Sequence, residues 1–162
     1  SDLSSDVLSQ NISLLSPDHT MLEGTLLENL TAFEVDRYRK RAFDLAHELG
    51  VADFIAQHPE GLSMPVASRA SGSLPKSVHD GIILVSSLIK APNVILFDEA
   101  NAGLDRHVDQ RLVKLLDRAK PRSIIVMVTH RPSYLKLANR TFSFDNHQIL
   151  ATNRRVSQQV AV

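Results

Sequence analysis

Val94-Ile95-Leu96-Phe97-Asp98-Glu99-Ala100, running on into Asn101-Ala102-Gly103-Leu104-Asp105, is the stretch whose reading decides the fold. Four apolar residues lead directly into two adjacent carboxylates. A run that is apolar at every position, without alternation, predicts a strand buried on both faces of a parallel sheet. Asp98 and Glu99 then stand at its carboxyl end, where open α/β sheets place their ligands. One acid there can hold Mg²⁺, directly or through water, because hard divalent ions take oxygen ligands. The other can polarise an attacking water if its surroundings raise its proton affinity. A solvated strand end is the plainer account of the same pair.

Working outward, Ser123-Ile124-Ile125-Val126-Met127-Val128 is a second, almost wholly apolar run, and it ends at Thr129-His130-Arg131. Between the two runs, residues 105–119 carry Val108, Leu112, Val113, Leu115 and Leu116 at helical spacing. Strand, helix and strand in this order predict a parallel crossover with the two strands side by side. His130 would then be close to the carboxylates, where it could donate a hydrogen bond to a phosphate or to a water.

Upstream, residues 78–90 read as a helix with a broad apolar stripe of Ile82, Ile83, Val85, Leu88 and Ile89. Residues 35–49 read as another, with Tyr38, Ala42, Leu45, Ala46 and Leu49 on one side and Gly50 as its C-terminal cap. Its basic residues (Arg37, Arg39, Lys40 and Arg41) read as a solvated face. Asn11 to Leu15 suits a short strand, and Thr25 with Glu28 has the form of a capping box. A short helix is expected over 51–57, loop over 60–77, and a further short helix over 132–138. Phe142 and Phe144 alternate with polar neighbours before Asp145-Asn146-His147, which signals a hairpin. Residues from 153 onward are mostly polar and are expected to fray.

The chain has 162 residues, enough for one domain with a sizeable core. Its 18 basic and 18 acidic side chains leave no net charge, which argues against wholesale nucleic-acid binding. There is no cysteine, so disulfide and thiol chemistry are excluded. No apolar run approaches the roughly 20 residues of a membrane span. The first residues lack the basic and apolar regions of a secretory signal.

Taken together, these segments resemble the nucleotide-binding domain of ATP-binding cassette (ABC) transporters, the exporter branch in particular. Val94 to Glu99 looks like the Walker B strand with its following glutamate, and Ala102-Gly103-Leu104-Asp105 looks like the D-loop. Thr129-His130-Arg131 looks like the switch-histidine segment. Gly24-Thr25-Leu26-Leu27-Glu28-Asn29-Leu30 is similar to the "GTIxENI" stretch that follows the Q-loop in exporters. The resemblance runs from Asp2 to about Leu150.

The departures are equally specific. No G-x-x-x-x-G-K-[ST] occurs, and no glycine is followed by lysine, so the phosphate-cradling loop is absent from this sequence. In the family that loop lies upstream, so the expectation is a chain that starts inside the domain. The Q-loop glutamine falls on Pro17. The LSGGQ signature aligns onto Leu74-Pro75-Lys76-Ser77-Val78, which loses its serine and glycines. A proline and two side chains there would obstruct a γ-phosphate, although Lys76 could still attract one.

The resemblance implies an α/β fold: a partial P-loop NTPase (RecA-like) parallel sheet with an inserted α-helical subdomain. Residues 1–30 would be the Q-loop-like segment and 31–90 the helical subdomain. Residues 91–152 would be the Walker B to switch-histidine core with the C-terminal hairpin, and 153–162 the tail. It implies ATP and Mg²⁺ as cofactors. Asp98 would carry Mg²⁺, Glu99 would polarise the water, and His130 would contact the γ-phosphate region. Asp105 would help join two subunits, and Lys76 and Ser77 would meet nucleotide. The implied partners are a second nucleotide-binding domain and the transmembrane domain of an exporter, at the cytoplasmic face of a membrane. The parent domain would be an ATPase, and the chain alone is expected to be inactive. The alternative is a degenerate, non-hydrolysing structural or regulatory module. An ABC-type ATPase of DNA maintenance is disfavoured by the neutral charge and the exporter-like residues 24–30.

Overall fold

A computed structural model describes residues 4–66, 74–145 and 148–152. The chain forms two compact units, Ser1–Val128 and Thr129–Val162.

In the first unit, α1 (Ser5–Asn11) starts at Ser4, whose hydroxyl accepts from the Val7 N–H, and leads straight into β1 (Ile12–Leu15). The short β2 (Gly24–Thr25) is followed by α2 (Leu26–Leu30). The expected capping box is present: the Thr25 side chain accepts from the Glu28 N–H, and Glu28 accepts from the Thr25 N–H at 2.7 Å. That backbone bond, with the Thr25 hydroxyl behind it, holds the Glu28 carboxyl below its ordinary range. α3 (Val35–Leu49) buries Ala42, Leu45, Ala46 and Leu49, as its spacing predicts. It ends at Gly50 in the left-handed conformation, φ 79°. A Cβ at Gly50 would also meet the Arg111 guanidinium at 2.8 Å.

α4 (Ala52–Gln57) follows, then a single 3₁₀ turn at Gly61–Ser63 and β3 (Pro65–Val66), which pairs antiparallel with β2. The loop expected over 60–77 therefore carries a strand at 65–66. Residues 67–73 lie outside the described residues. α5 (Lys76–Leu88) begins two residues before the periodicity alone predicts, with Pro75 as its N-cap residue. It is largely buried, at Ile82, Ile83, Leu84, Val85 and Leu88, as its broad stripe requires. Gly81 lets α5 approach Val51, because a Cβ there would lie 2.5 Å from Val51 Cγ2.

β4 (Val94–Asp98), α6 (Arg106–Ala119) and β5 (Ile124–Val128) form the crossover read from the sequence. The sheet is three-stranded and parallel, in the order β1-β4-β5. Leu14, Leu96 and Val126 share one row, and Leu15, Phe97 and Met127 the next. The two rows face opposite ways. Phe97, Leu15 and Ile95 are fully buried. Ser13, on that same covered face, donates from its hydroxyl to the Ser87 carbonyl of α5 at 2.6 Å.

The other face is open, which corrects the expectation of a strand buried on both sides. Leu96 is 38% exposed, Leu14 44% and Val126 55%. Ile12, Ile124 and Val128 extend the same apolar surface. Among the described residues β5 pairs with β4 alone, so its outer edge has no strand beside it.

In the second unit, α7 (Pro132–Leu135) places Pro at its first turn, and β6 (Thr141–Asp145) pairs antiparallel with β7 (Gln148–Thr152). This is the expected hairpin. The expected tail from 153 lies outside the described residues.

Candidate functional site

The tip of β4 is built by one tight turn. Asp98 closes the strand opposite Val128, and its side chain is exposed. Glu99 then adopts φ 48°, the left-handed region that non-glycine residues rarely occupy. That conformation costs roughly 1–2 kcal/mol. It is held by bonds on either side: the Glu99 N–H donates to the Val128 carbonyl at 3.0 Å, and the Ala102 N–H donates to the Glu99 carbonyl at 2.8 Å. Two acids adjacent in sequence therefore leave the strand in different environments, Asp98 exposed and Glu99 half-buried.

The turn is anchored below by Ala100, Asn101 and Leu104, all buried. Asn101 is 1% exposed, and among the described residues its Oδ1 has no hydrogen-bond donor. A buried acceptor of this kind is costly unless a water or ligand supplies a proton. Asn29 shows the usual arrangement. Its amide donates to the Leu22 and Thr25 carbonyls, and its oxygen accepts from the Leu22 N–H at 2.9 Å. Asn101 was not singled out by the sequence reading. Its one signal was a polar side chain inside an otherwise small and apolar loop.

Asp105 ends the loop as the N-cap of α6. Its carboxylate accepts from the His107 N–H at 2.8 Å and the Val108 N–H at 3.0 Å. The Val108 N–H chiefly holds the Asp105 carboxyl below its ordinary range; burial opposes it, and the His107 N–H, the His107 charge and, least, the nearby Ser77 hydroxyl add to the lowering. The first turn of α5 lies beside this loop. Lys76 lies there too: a Cβ built on Gly103 would meet Lys76 Nζ and, at 3.0 Å, Asp80 Oδ2. Lys76 itself pairs with Asp80 at 2.8 Å, and His79 lies 3.2 Å from the other Asp80 oxygen.

The structure thus brings Lys76 and Ser77 to the loop that carries Asp98, Glu99 and Asp105. His130 belongs to the second unit. It stands two residues beyond the end of β5 and is exposed, and the Arg131 N–H donates to the Thr129 hydroxyl at 3.2 Å. Pro17 sits in the turn after β1.

The donor set bears on what metal this tip can hold. Among the described residues no group of three or more His, Cys, Asp or Glu could hold an ion by itself. Mg²⁺ takes one or two carboxylates and completes its shell with water and phosphate oxygens. An exposed Asp98 at a strand tip supplies one such oxygen ligand.

No family model matches the chain. The mitochondrial potassium channel ATP-binding subunit of Mus musculus is 26% identical over 140 residues, 86% of this chain and 19% of its own length. The alpha-hemolysin translocation ATP-binding protein HlyB of Escherichia coli O157:H7 is 26% identical over 139 residues, 86% of this chain and 20% of its own. The ABC multidrug transporter atrD of Emericella nidulans is 28% identical over 141 residues, 86% of this chain and 10% of its own. Among solved structures, a bacterial Atm1-family ABC exporter with ATP bound superposes on 91% of this chain and 26% of its own, at TM-score 0.79 and 20% identity. The chain therefore spans about a fifth or less of the length of these curated relatives. Its homologues are ABC exporter proteins, and its fold is shared with part of an ABC exporter.

Proposed function

We propose that this chain, whose homologues are ABC exporter proteins, is the Walker B portion of an exporter's nucleotide-binding domain. The observation that carries the reading is the tip of β4. There an exposed Asp98 is followed by a Glu99 held in a left-handed turn against the neighbouring parallel strand. Magnesium bound with ATP would neutralise phosphate charge. Asp98 is the residue to ligate it, and Glu99 is the residue to orient and deprotonate an attacking water. His130 is assigned to the γ-phosphate region and Asp105 to the contact between two such domains. Lys76 and Ser77 are assigned to the facing nucleotide. The Lys76–Asp80 ion pair limits that last role for Lys76, which would have to leave its partner within the chain.

In this reading a segment with its own strand and helix would supply the phosphate-cradling loop. The open apolar face of the sheet and the unpaired edge of β5 support this, since a parallel strand and a covering helix would complete both. The first groove to consider for the transmembrane partner is lined by Met21, Leu22, Phe33 and Ile83, with Leu22 and Phe33 exposed.

A second reading is a module that keeps this geometry without hydrolysing ATP. It is favoured by Pro75 at the start of α5, where the family's signature has its serine. The test is ATP hydrolysis and MgATP binding by the full-length protein that contains this chain, with Glu99→Gln and Asp98→Asn. Hydrolysis is expected to fall about 10²-fold or more in Glu99→Gln, with binding retained. Asp98→Asn is expected to weaken the dependence of binding on Mg²⁺. No hydrolysis in the parent, and no effect of either substitution, would leave the non-hydrolysing module. The chain alone is expected to bind MgATP weakly, as titration calorimetry would read.

A further inference from the structure

A cleft of about 320 Å³ lies between α3, α6 and the start of β4, at the opposite strand end from Asp98. Its floor is apolar, formed by Leu45, Leu88, Ile95 and Leu115. Three arginines from three segments line it: Arg41 of α3, Arg118 of α6 and Arg122 just before β5. Two carboxylates also line it, Asp44 and Glu48. Glu48 is taken by Arg118 at 2.6 Å. Asp44 forms no ion pair among the described residues, and neither do Arg41 and Arg122. The cleft therefore holds a surplus of positive charge. Arg41 Nε is buried and has no acceptor among the described residues.

A buried guanidinium N–H without an acceptor is expensive, and its planar fork matches a carboxylate or phosphate. The volume is at the lower end of small-molecule sites, roughly 300–1,000 Å³. We propose that this cleft binds a small organic anion, its carboxylate or phosphate head between Arg41 and Arg122 and its apolar body on the floor of Leu45, Leu88 and Leu115. The site is separate from the tip of β4, and its test does not depend on ATP chemistry.

The probe is 4-phenylbutyrate, titrated into the 162-residue chain and followed by amide NMR. Its neutral counterpart, 4-phenylbutan-1-ol, is the control. Saturable shifts are expected at Ala91, Ile95 and Ala119. Arg122→Gln, at an exposed position where folding is safe, is expected to weaken binding about tenfold or more, as is Arg41→Gln. Circular dichroism confirms that both variants are folded. Three results would each overturn the proposal: no saturation at millimolar probe, equal binding of the alcohol, or undiminished binding in both arginine variants. Shifts centred on Ile124 and Val126 would do the same, because they mark adsorption to the open sheet face.

Discussion

The two faces of β4 carry the same kind of side chain and meet opposite fates. Ile95 and Phe97 point into the core and are 1% exposed, while Leu96 between them is 38% exposed. The neighbouring strands repeat the pattern in register, Leu15 covered and Leu14 open, Met127 half-buried and Val126 open. Burial is thus not a property of the strand's composition. It is supplied by what packs on each face, and among the described residues helices cover only one. A parallel strand apolar on both sides is composed for two covers.

The largest expected effect tests whether the two faces really differ. Phe97→Ala should destabilise the chain by about 3–5 kcal/mol, because it removes a fully buried ring and leaves a cavity. Leu96→Ala, one residue away, should cost well under about 1 kcal/mol. Urea unfolding of both variants reads the contrast. Equal losses would mean that the open face is covered in solution, and the comparison would break.

A smaller effect probes the loop that carries the chain from β4 into α6. Asp105→Ala should cost about 1 kcal/mol through loss of the N-cap. The Asp105 carboxyl titrates lower in the folded chain than in the unfolded one. Its contribution is complete above the ordinary aspartate value of 3.8 and is lost as the pH falls through the lower, folded value. Asp105→Asn keeps a capping oxygen but removes the charge. It should flatten this acid limb of the stability profile while costing less at neutral pH than Asp105→Ala. A profile that Asp105→Asn leaves unchanged would assign the acid sensitivity to other carboxylates.

Much of this fold was legible in the residues. The crossover from β4 through α6 to β5 follows from two apolar runs and one 3.6-residue period. The capping box at Thr25 and the glycine cap at Gly50 followed from local chemistry. What was not legible depended on distant partners. An unbroken apolar run cannot say which of its faces finds a cover. Nor could spacing show that Lys76 lies over Gly103, because that approach joins segments far apart in sequence. The same limit hid the arginine cleft. Arg41 read as part of a solvated basic face, and only the packing of α3 beside α6 brings it near Arg118 and Arg122.

The smallest expected effect on stability is at the open face, and it carries the most information about association. Val126→Lys replaces an exposed apolar side chain in the middle of the edge strand. The folded chain should change by less than about 0.5 kcal/mol, since nothing packed is removed. Self-association should fall, because a charge on a flat apolar edge is the device by which natural sheets discourage strand addition. Sedimentation velocity at rising concentration measures this directly. If Val126→Lys instead destabilises the chain as Phe97→Ala does, Val126 is packed in solution and β5 is an interior strand. If association is unchanged, the contact between copies lies elsewhere. A drop in association at unchanged stability would identify the open face as the surface through which copies of this chain meet.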